Sequence, residues 1–172
     1  MHWDVWRGHP PGRRGFELRN TPAGAGGCMT AHDTGQPLGT AIIQRLLDEA
    51  RLVARQAYAP YSNFRVGAAV LGSNGNIYSG VNVENASFGL GTCAERVALA
   101  SAIADGERNF VAIAIACVDA PTGSPLAQRM PCGACRQWIQ ELAPKAEIFI
   151  LGENRSFRIT DLLPVAFSLR GE

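Results

Sequence analysis

The run Phe110-Val111-Ala112-Ile113-Ala114-Ile115-Ala116-Cys117-Val118 most narrowly limits the folds open to this chain. It is apolar almost throughout, and Ala146 to Leu151 forms a shorter run of the same kind. Such runs suit strands that are covered on both faces, since neither side has to meet water. Cys132 to Leu142, between them, reads as a helix. Upstream, Ile42, Ile43, Leu46, Leu47, Ala50, Val53, Ala54 and Ala57 recur at three- and four-residue steps. That spacing predicts an amphipathic helix from a Thr40 cap to about Tyr58, and Pro60 disfavours helix at Ala59. Residues 65–71 and 77–83 read as strands of a hairpin turning at Ser73-Asn74-Gly75-Asn76. The resulting order is helix, strand, strand, helix, strand, helix, strand. It predicts an α/β sandwich: a hairpin first, then parallel strands joined by helical crossovers.

Two clusters carry chemistry, Thr92-Cys93-Ala94-Glu95-Arg96 and Pro131-Cys132-Gly133-Ala134-Cys135. Both fall just after a strand and at a helix start, the usual place for sites in such sheets. Zinc prefers thiolate and imidazole, and a catalytic zinc keeps three protein ligands and an open position for water. Cys93, Cys132 and Cys135 supply three ligands, and Glu95 is placed to move protons without ligating. Three plainer readings compete. Thr92 and Glu95 have the spacing of a capping box. A Cys-x-x-Cys pair is also found in redox dithiols and in structural zinc knuckles. Together these explain less. A structural site closes with four protein ligands, and the chain has no second Cys-x-x-Cys and no His-x-x-x-His. A dithiol leaves the third cysteine, 39 positions upstream beside a glutamate, without a role.

Three thiolates carry more negative charge than zinc carries positive. Two helix N-termini, each worth about half a positive charge, offset this. Arg96 and Arg136 are candidates for charge-assisted hydrogen bonds to the sulfurs, against ordinary ion pairing. Cys117, inside an apolar strand, is most simply core.

Residues 1–37 mix Gly, Pro, Arg and isolated aromatics such as Trp3 and Trp6, with no helical or strand period. They read as a disordered extension, followed by a folded domain over 38–172. Met29 lies near the end of this stretch and is expected to be the natural start, a targeting peptide being the competing reading. No apolar run reaches the roughly 18 residues of a membrane helix, and no secretory signal is evident. The net charge of +1 leaves no electrostatic footprint for a nucleic acid, so a small substrate is expected. Five cysteines, an odd number with three in a metal pattern, point to the reducing cytoplasm rather than to disulfides. The low charged fraction, 18%, points to a surface partly covered by subunit contacts.

The two cysteine clusters carry the signature of zinc nucleoside and nucleobase deaminases, with Cys as the first ligand. Three further stretches resemble one family. Tyr61-Ser62-Asn63-Phe64-Arg65-Val66-Gly67-Ala68-Ala69 is similar to the Tyr-Ser-x-Phe-x-Val-Gly-Ala-Ala stretch of cytidine deaminases. Asn82-Val83-Glu84-Asn85-Ala86-Ser87-Phe88-Gly89 resembles their nucleoside-binding segment, and Leu162-Leu163-Pro164-Val165-Ala166-Phe167 their C-terminal segment. The resemblance runs from about Ile42 to Ser168 and is to the small, all-cysteine, homotetrameric members.

It implies a three-layer α/β/α sandwich with a mixed sheet of about five strands. It also implies one zinc ion per subunit and hydrolytic deamination of cytidine and deoxycytidine, with Glu95 passing protons from water to N3 and to the departing amino group. Asn82 and Glu84 would bind the ribose hydroxyls, and Phe64 would pack on the pyrimidine. Ala86 and Phe88 would line the pocket, Phe88 standing where many relatives have Tyr. Phe167 would reach a neighbouring subunit's pocket, so that sites are shared in a homotetramer. The competing functions are a deaminase of another amine-bearing heterocycle, a structural zinc module and a polynucleotide editor. For the extension, intact mass spectrometry of the native protein is expected to give a chain starting at Met29; a chain starting at Met1 refutes this.

Overall fold

The computed structural model describes residues 38–169. The expected disorder of residues 1–37 and the start at Met29 lie outside the described residues. Helix α1 spans Thr40–Val53. Its N-cap is Gly39, whose carbonyl accepts from the N–H groups of Ile42 and Ile43. Thr40 is therefore already in the first turn and does not cap. The helix also ends sooner than its apolar spacing predicts, tightening into a 3₁₀ turn over Ala54–Gln56. Tyr58 is drawn away by strand-like pairing: its N–H donates to Asn82 O, and its carbonyl accepts from Glu84 N–H.

Strands β1 (Val66–Gly72) and β2 (Ile77–Val81) form the hairpin. Its turn has Gly75 at φ 82°, and Asn74 Oδ1 accepts from Asn76 N–H at 2.9 Å. Strand β2 stops at Val81, because Val83 leaves β1 to bridge Tyr58 and Thr92. Helix α2 (Ala94–Ala104) then carries the chain to β3 (Phe110–Cys117), and α3 (Gly133–Leu142) carries it to β4 (Glu147–Ile150). Two short elements follow, β5 (Ser156–Phe157) and α4 (Ile159–Leu162). Neither is long enough to show a period in sequence. Asp161 accepts from Arg158 N–H at the start of α4.

The five strands lie in the order β2-β1-β3-β4-β5. The β3–β4 pair is parallel and the other pairs are antiparallel, so the sheet is mixed. The apolar run of β3 resolves into two faces. Ile113 and Ile115 join Val70, Ile148 and Ile150 under α2 and α3. Ala112, Ala114 and Ala116 join Ala69 and Leu71 under Leu46 and Ala50 of α1. Helices on both faces make three layers. Burying each isoleucine contributes about 1.5–3 kcal/mol, so β3 is a main source of stability. Among the described residues, no helix is long and apolar enough to cross a membrane.

Small residues let the helices sit close. A Cβ on Gly80 would lie 2.3 Å from Ala98 N and 2.5 Å from Ala94 O, both backbone atoms of α2. The absence of a side chain there lets α2 rest directly on β2, and this sets the height of the helix start. At the far end of the same helix, Glu107 ties the next turn to the hairpin. Its buried carboxylate accepts from Arg108, Asn109 and Asn74 N–H and from Ser73 Oγ. Burial pushes its pKa up, but these hydrogen bonds outweigh burial and hold it below the ordinary carboxylate value.

Gly80→Ala is expected to destabilise the fold by about 1–3 kcal/mol, the usual range for overpacking, seen as a lower thermal midpoint. An unchanged midpoint would show that α2 moves off the sheet at no cost.

Candidate metal centre

Cys93 and Cys132 occupy equivalent places, as the N-cap residues of α2 and α3. Each has extended backbone, with φ/ψ of −79°/155° and −67°/170°. An extended N-cap turns its side chain back over the open N–H groups of the first turn. Cys135 lies in that first turn of α3. The two helix starts meet: Cys93 Sγ is 3.7 Å from Cys132 Sγ, and Cys132 Sγ is 3.5 Å from Cys135 Sγ. All three sulfurs lie within 4.8 Å of one another. A tetrahedral zinc with Zn–S of about 2.3 Å requires a sulfur–sulfur edge of about 3.8 Å, which these spacings approach. Among the described residues, no fourth His, Cys, Asp or Glu joins the group. Cys135 is buried, Cys93 half-buried and Cys132 exposed, so the cluster is open on one side.

The donor chemistry also fits a cation. The Cys93 thiol is held down at about 5, chiefly by its hydrogen bond with Cys135; burial opposes this, and Arg96 and Cys132 add to it. The Cys135 thiol is pushed up, first by that same hydrogen bond with Cys93 and then by burial and by Glu95. One thiolate thus resists formation of the next. A divalent cation between them removes the conflict, and the N-termini of α2 and α3 add partial positive charge.

Glu95 is the second residue of α2 and only 4% exposed. The sequence reading of a Thr92–Glu95 capping box does not hold. Cys93 takes the N-cap place, so Glu95 falls one residue short of the position a capping box needs. Burial pushes its carboxyl pKa up, and the neighbouring Cys93 sulfur adds to that.

The two arginines part company. Arg96 Nη2 donates to Cys93 Sγ at 3.8 Å and to Gly91 O at 3.3 Å, and its buried Nε has no hydrogen-bond partner. Arg136 does not follow the expectation of a sulfur contact. It donates instead to Pro131 O at 2.8 Å and Leu162 O at 2.9 Å, bracing backbone. Cys117, expected to be core, packs against the larger core cluster, and burial pushes its thiol up to about 11.

The remaining candidates divide between two surfaces. Glu84 accepts from Tyr61 N–H at 2.9 Å, Ser62 N–H at 3.2 Å and the Ser62 hydroxyl. The Ser62 hydroxyl, with the Tyr61 N–H, holds its pKa below the ordinary value. Asn82 Oδ1 accepts from Val66 N–H at 2.8 Å, and its Nδ2 donates to Phe64 O at 2.9 Å. Phe64 is half-buried, and Ala86 is exposed. Phe88 is 81% exposed, its ring edge-on to Tyr61 at 6.1 Å. Phe167 lines a separate groove of about 530 Å³ with Trp138, Leu142 and Leu169, and its carbonyl accepts from Gln137 Nε2. Sequence reasoning missed Ser62. Its hydroxyl also accepts from Phe64 N–H at 3.0 Å, a local turn bond that a serine two residues before an aromatic can signal. Its long-range bond to Glu84 leaves no such mark.

The sequence model of the family described as "Cytidine and deoxycytidylate deaminase zinc-binding region" matches residues 40–151. A cytidine deaminase of Halalkalibacterium halodurans is 44% identical over 129 residues, 73% of this chain and 93% of that protein. The crystal structure of cytidine deaminase from Burkholderia pseudomallei superposes with a TM-score of 0.63 at 45% identity, covering 72% of this chain and 98% of that one. The Mycobacterium tuberculosis cytidine deaminase structure gives a TM-score of 0.64 at 39% identity, over 74% of this chain and 98% of that one. The chain belongs to the cytidine deaminase family. It is an enzyme of the hydrolase class with a cytidine deaminase-like α/β fold, and it carries one zinc ion per subunit.

Cys132→Ser is expected to purify with most of its zinc lost, read by metal analysis. Full occupancy in that variant would remove Cys132 from the ligand set.

Proposed function

We propose that the protein hydrolyses cytidine and deoxycytidine to uridine and deoxyuridine, releasing ammonia, in pyrimidine salvage. The observation that carries this is a buried carboxyl group, Glu95, beside the Cys93 and Cys135 sulfurs of the three-cysteine cluster at the meeting point of two helix starts. Cys93, Cys132 and Cys135 hold a zinc ion, which supplies Lewis-acid activation of water at near-neutral pH. Glu95 takes a proton from the attacking water as its oxygen joins C4 of the base. It passes that proton to N3, then takes the second proton from the new C4 hydroxyl and delivers it to the 4-amino group, whose bond to C4 breaks as ammonia leaves. Burial that raises the pKa of Glu95 suits a carboxylate that must both accept and release protons. Arg96 offsets the negative charge of Cys93.

Glu84 and Asn82 take the ribose hydroxyls. Glu84 stays ionised under three donors and is a pure acceptor. Asn82 uses one N–H and one lone pair on backbone, which leaves it one of each for a hydroxyl. Phe64 packs on the pyrimidine, and Ala86 and Phe88 line the pocket. Phe88 has no hydroxyl, so a contact that a Tyr would make is absent. Phe167 enters a neighbouring subunit's site in a cytoplasmic homotetramer. The exposure of Phe167 at 68% and Leu169 at 88%, which line one groove, supports that reading, since exposed apolar residues gathered on a surface mark interaction sites.

Loss of cytidine's ultraviolet absorbance on adding enzyme, abolished by a chelator, tests the activity. If cytidine and deoxycytidine are both poor substrates, a different amine-bearing heterocycle takes their place. Glu95→Ala is expected to lower kcat by at least ~10²–10⁴ with zinc retained. Near-normal turnover in that variant would leave Glu95 without a catalytic part.

A further inference from the structure

Of the three sulfurs, Cys132 depends most on tertiary structure for its place. Its distance to Cys135 is set within one helical turn. Its distance to Cys93 is not, because Cys132 arrives at the end of the long segment from Val118 to Pro131, which joins β3 to α3. Connections of this length without strands or long helices are uncommon and need anchoring. The near end is fastened at Asp119, which accepts from the Arg65 backbone N–H and guanidinium. The far end is fastened at Arg129, three residues before Cys132.

Arg129 is held through almost every polar group it has. Its N–H donates to Leu126 O, and its carbonyl accepts from the Cys117 thiol at 3.8 Å. Its guanidinium donates to Leu151 O at 3.0 Å, to Ser124 O at 3.5 Å and to the Glu153 carboxylate. The side chains of Arg129 and Glu153 are 17% and 22% exposed, so this pair is shielded more than an ordinary surface ion pair. The guanidinium thereby ties the segment both to itself and to the turn after β4. Between this node and the sulfur stand only Met130, packed on the core, and Pro131, which is fully buried and fixed in φ. Arg136 then holds the Pro131 carbonyl from the other side.

We propose that Arg129, oriented by Glu153, is a positioning residue for the metal centre: it delivers Cys132 to its 3.7 Å spacing from Cys93 and so slows loss of the ion. The charge pair acts on the ion through the backbone, with Met130 and Pro131 between Arg129 and the sulfur's residue. The proposal rests on Cys132 being a ligand. Groups that orient metal ligands typically change metal affinity 10–100-fold when removed.

The test measures zinc release from the loaded enzyme into excess EDTA, in wild type, Arg129→Met, Arg129→Lys and Glu153→Gln, with thermal midpoints recorded alongside. Glu107→Gln is the control, since Glu107 also anchors a turn through a buried carboxylate but has no link to the segment bearing Cys132. The proposal expects Arg129→Met to release zinc about 10-fold faster or more. Glu153→Gln should fall between that variant and wild type, and Arg129→Lys should rescue part of the loss. Glu107→Gln should lower the midpoint while releasing zinc at the wild-type rate. Wild-type release from both Arg129→Met and Glu153→Gln overturns the proposal. So does release from Glu107→Gln that is equally fast at an equal loss of midpoint, because the effect would then be one of global stability. If Arg129→Met does not fold, Arg129→Lys and Glu153→Gln decide by the same comparison. Cys132→Ser separates the two layers: retained zinc there refutes the ligand assignment, whereas lost zinc beside normal release from the Arg129 and Glu153 variants refutes only the clamp.

Discussion

Two helices that begin at the same point in space are the constraint on which the rest of this molecule depends. Helices α2 and α3 start with a cysteine as N-cap, and their sulfurs come within 3.7 Å of each other. That meeting requires each helix to be seated at the right height on the sheet. For α2 the seat is Gly80, where the helix backbone touches β2 directly. For α3 it is Ile139 in the core and the parallel β3–β4 pair that the helix connects. The isoleucines of β3 supply the apolar surface that holds both helices down. The core is therefore the foundation of the metal centre.

The same arrangement decides what the carboxylate beside them does. Glu95 follows an N-cap by two residues, so its side chain stays in the first turn, among the open N–H groups and the sulfurs. Burial disfavours its charge, while the helix start favours negative charge in general. The result is a buried carboxyl group with a raised pKa beside the metal centre. Arg96 donates to Cys93 Sγ, and the two helix starts add partial positive charge. Arg136, although it follows a ligand directly, braces the Pro131 carbonyl just before α3 and the Leu162 carbonyl at the end of α4.

Glu84 and Asn82, at the end of the hairpin, follow a related rule. Glu84 and Asn82 are held by backbone N–H and carbonyl groups of neighbouring loops and strands. Their directions are thus set by the fold itself. The aromatic residues behave differently. Phe88 and Phe167 stand largely in solvent.

Much of this was legible in the chain itself. The covered strands, the hairpin at Asn74-Gly75, the helix between the two apolar runs and the three-cysteine pattern were all readable, because each is a local pattern: a period, a turn residue or a ligand spacing. Boundaries were less so. The first helix stops early because Tyr58 is recruited by Asn82 and Glu84, and β5 and α4 are too short to carry a period. The partners of charged side chains were not legible at all. Ser62 under Glu84, Arg136 on Leu162 and Arg129 on Leu151 and Glu153 join residues far apart in the chain. Residue order determines which groups need a partner; only the folded chain decides which carbonyls and carboxylates lie within reach, since a hydrogen bond requires about 3 Å and a direction that no spacing along the sequence encodes.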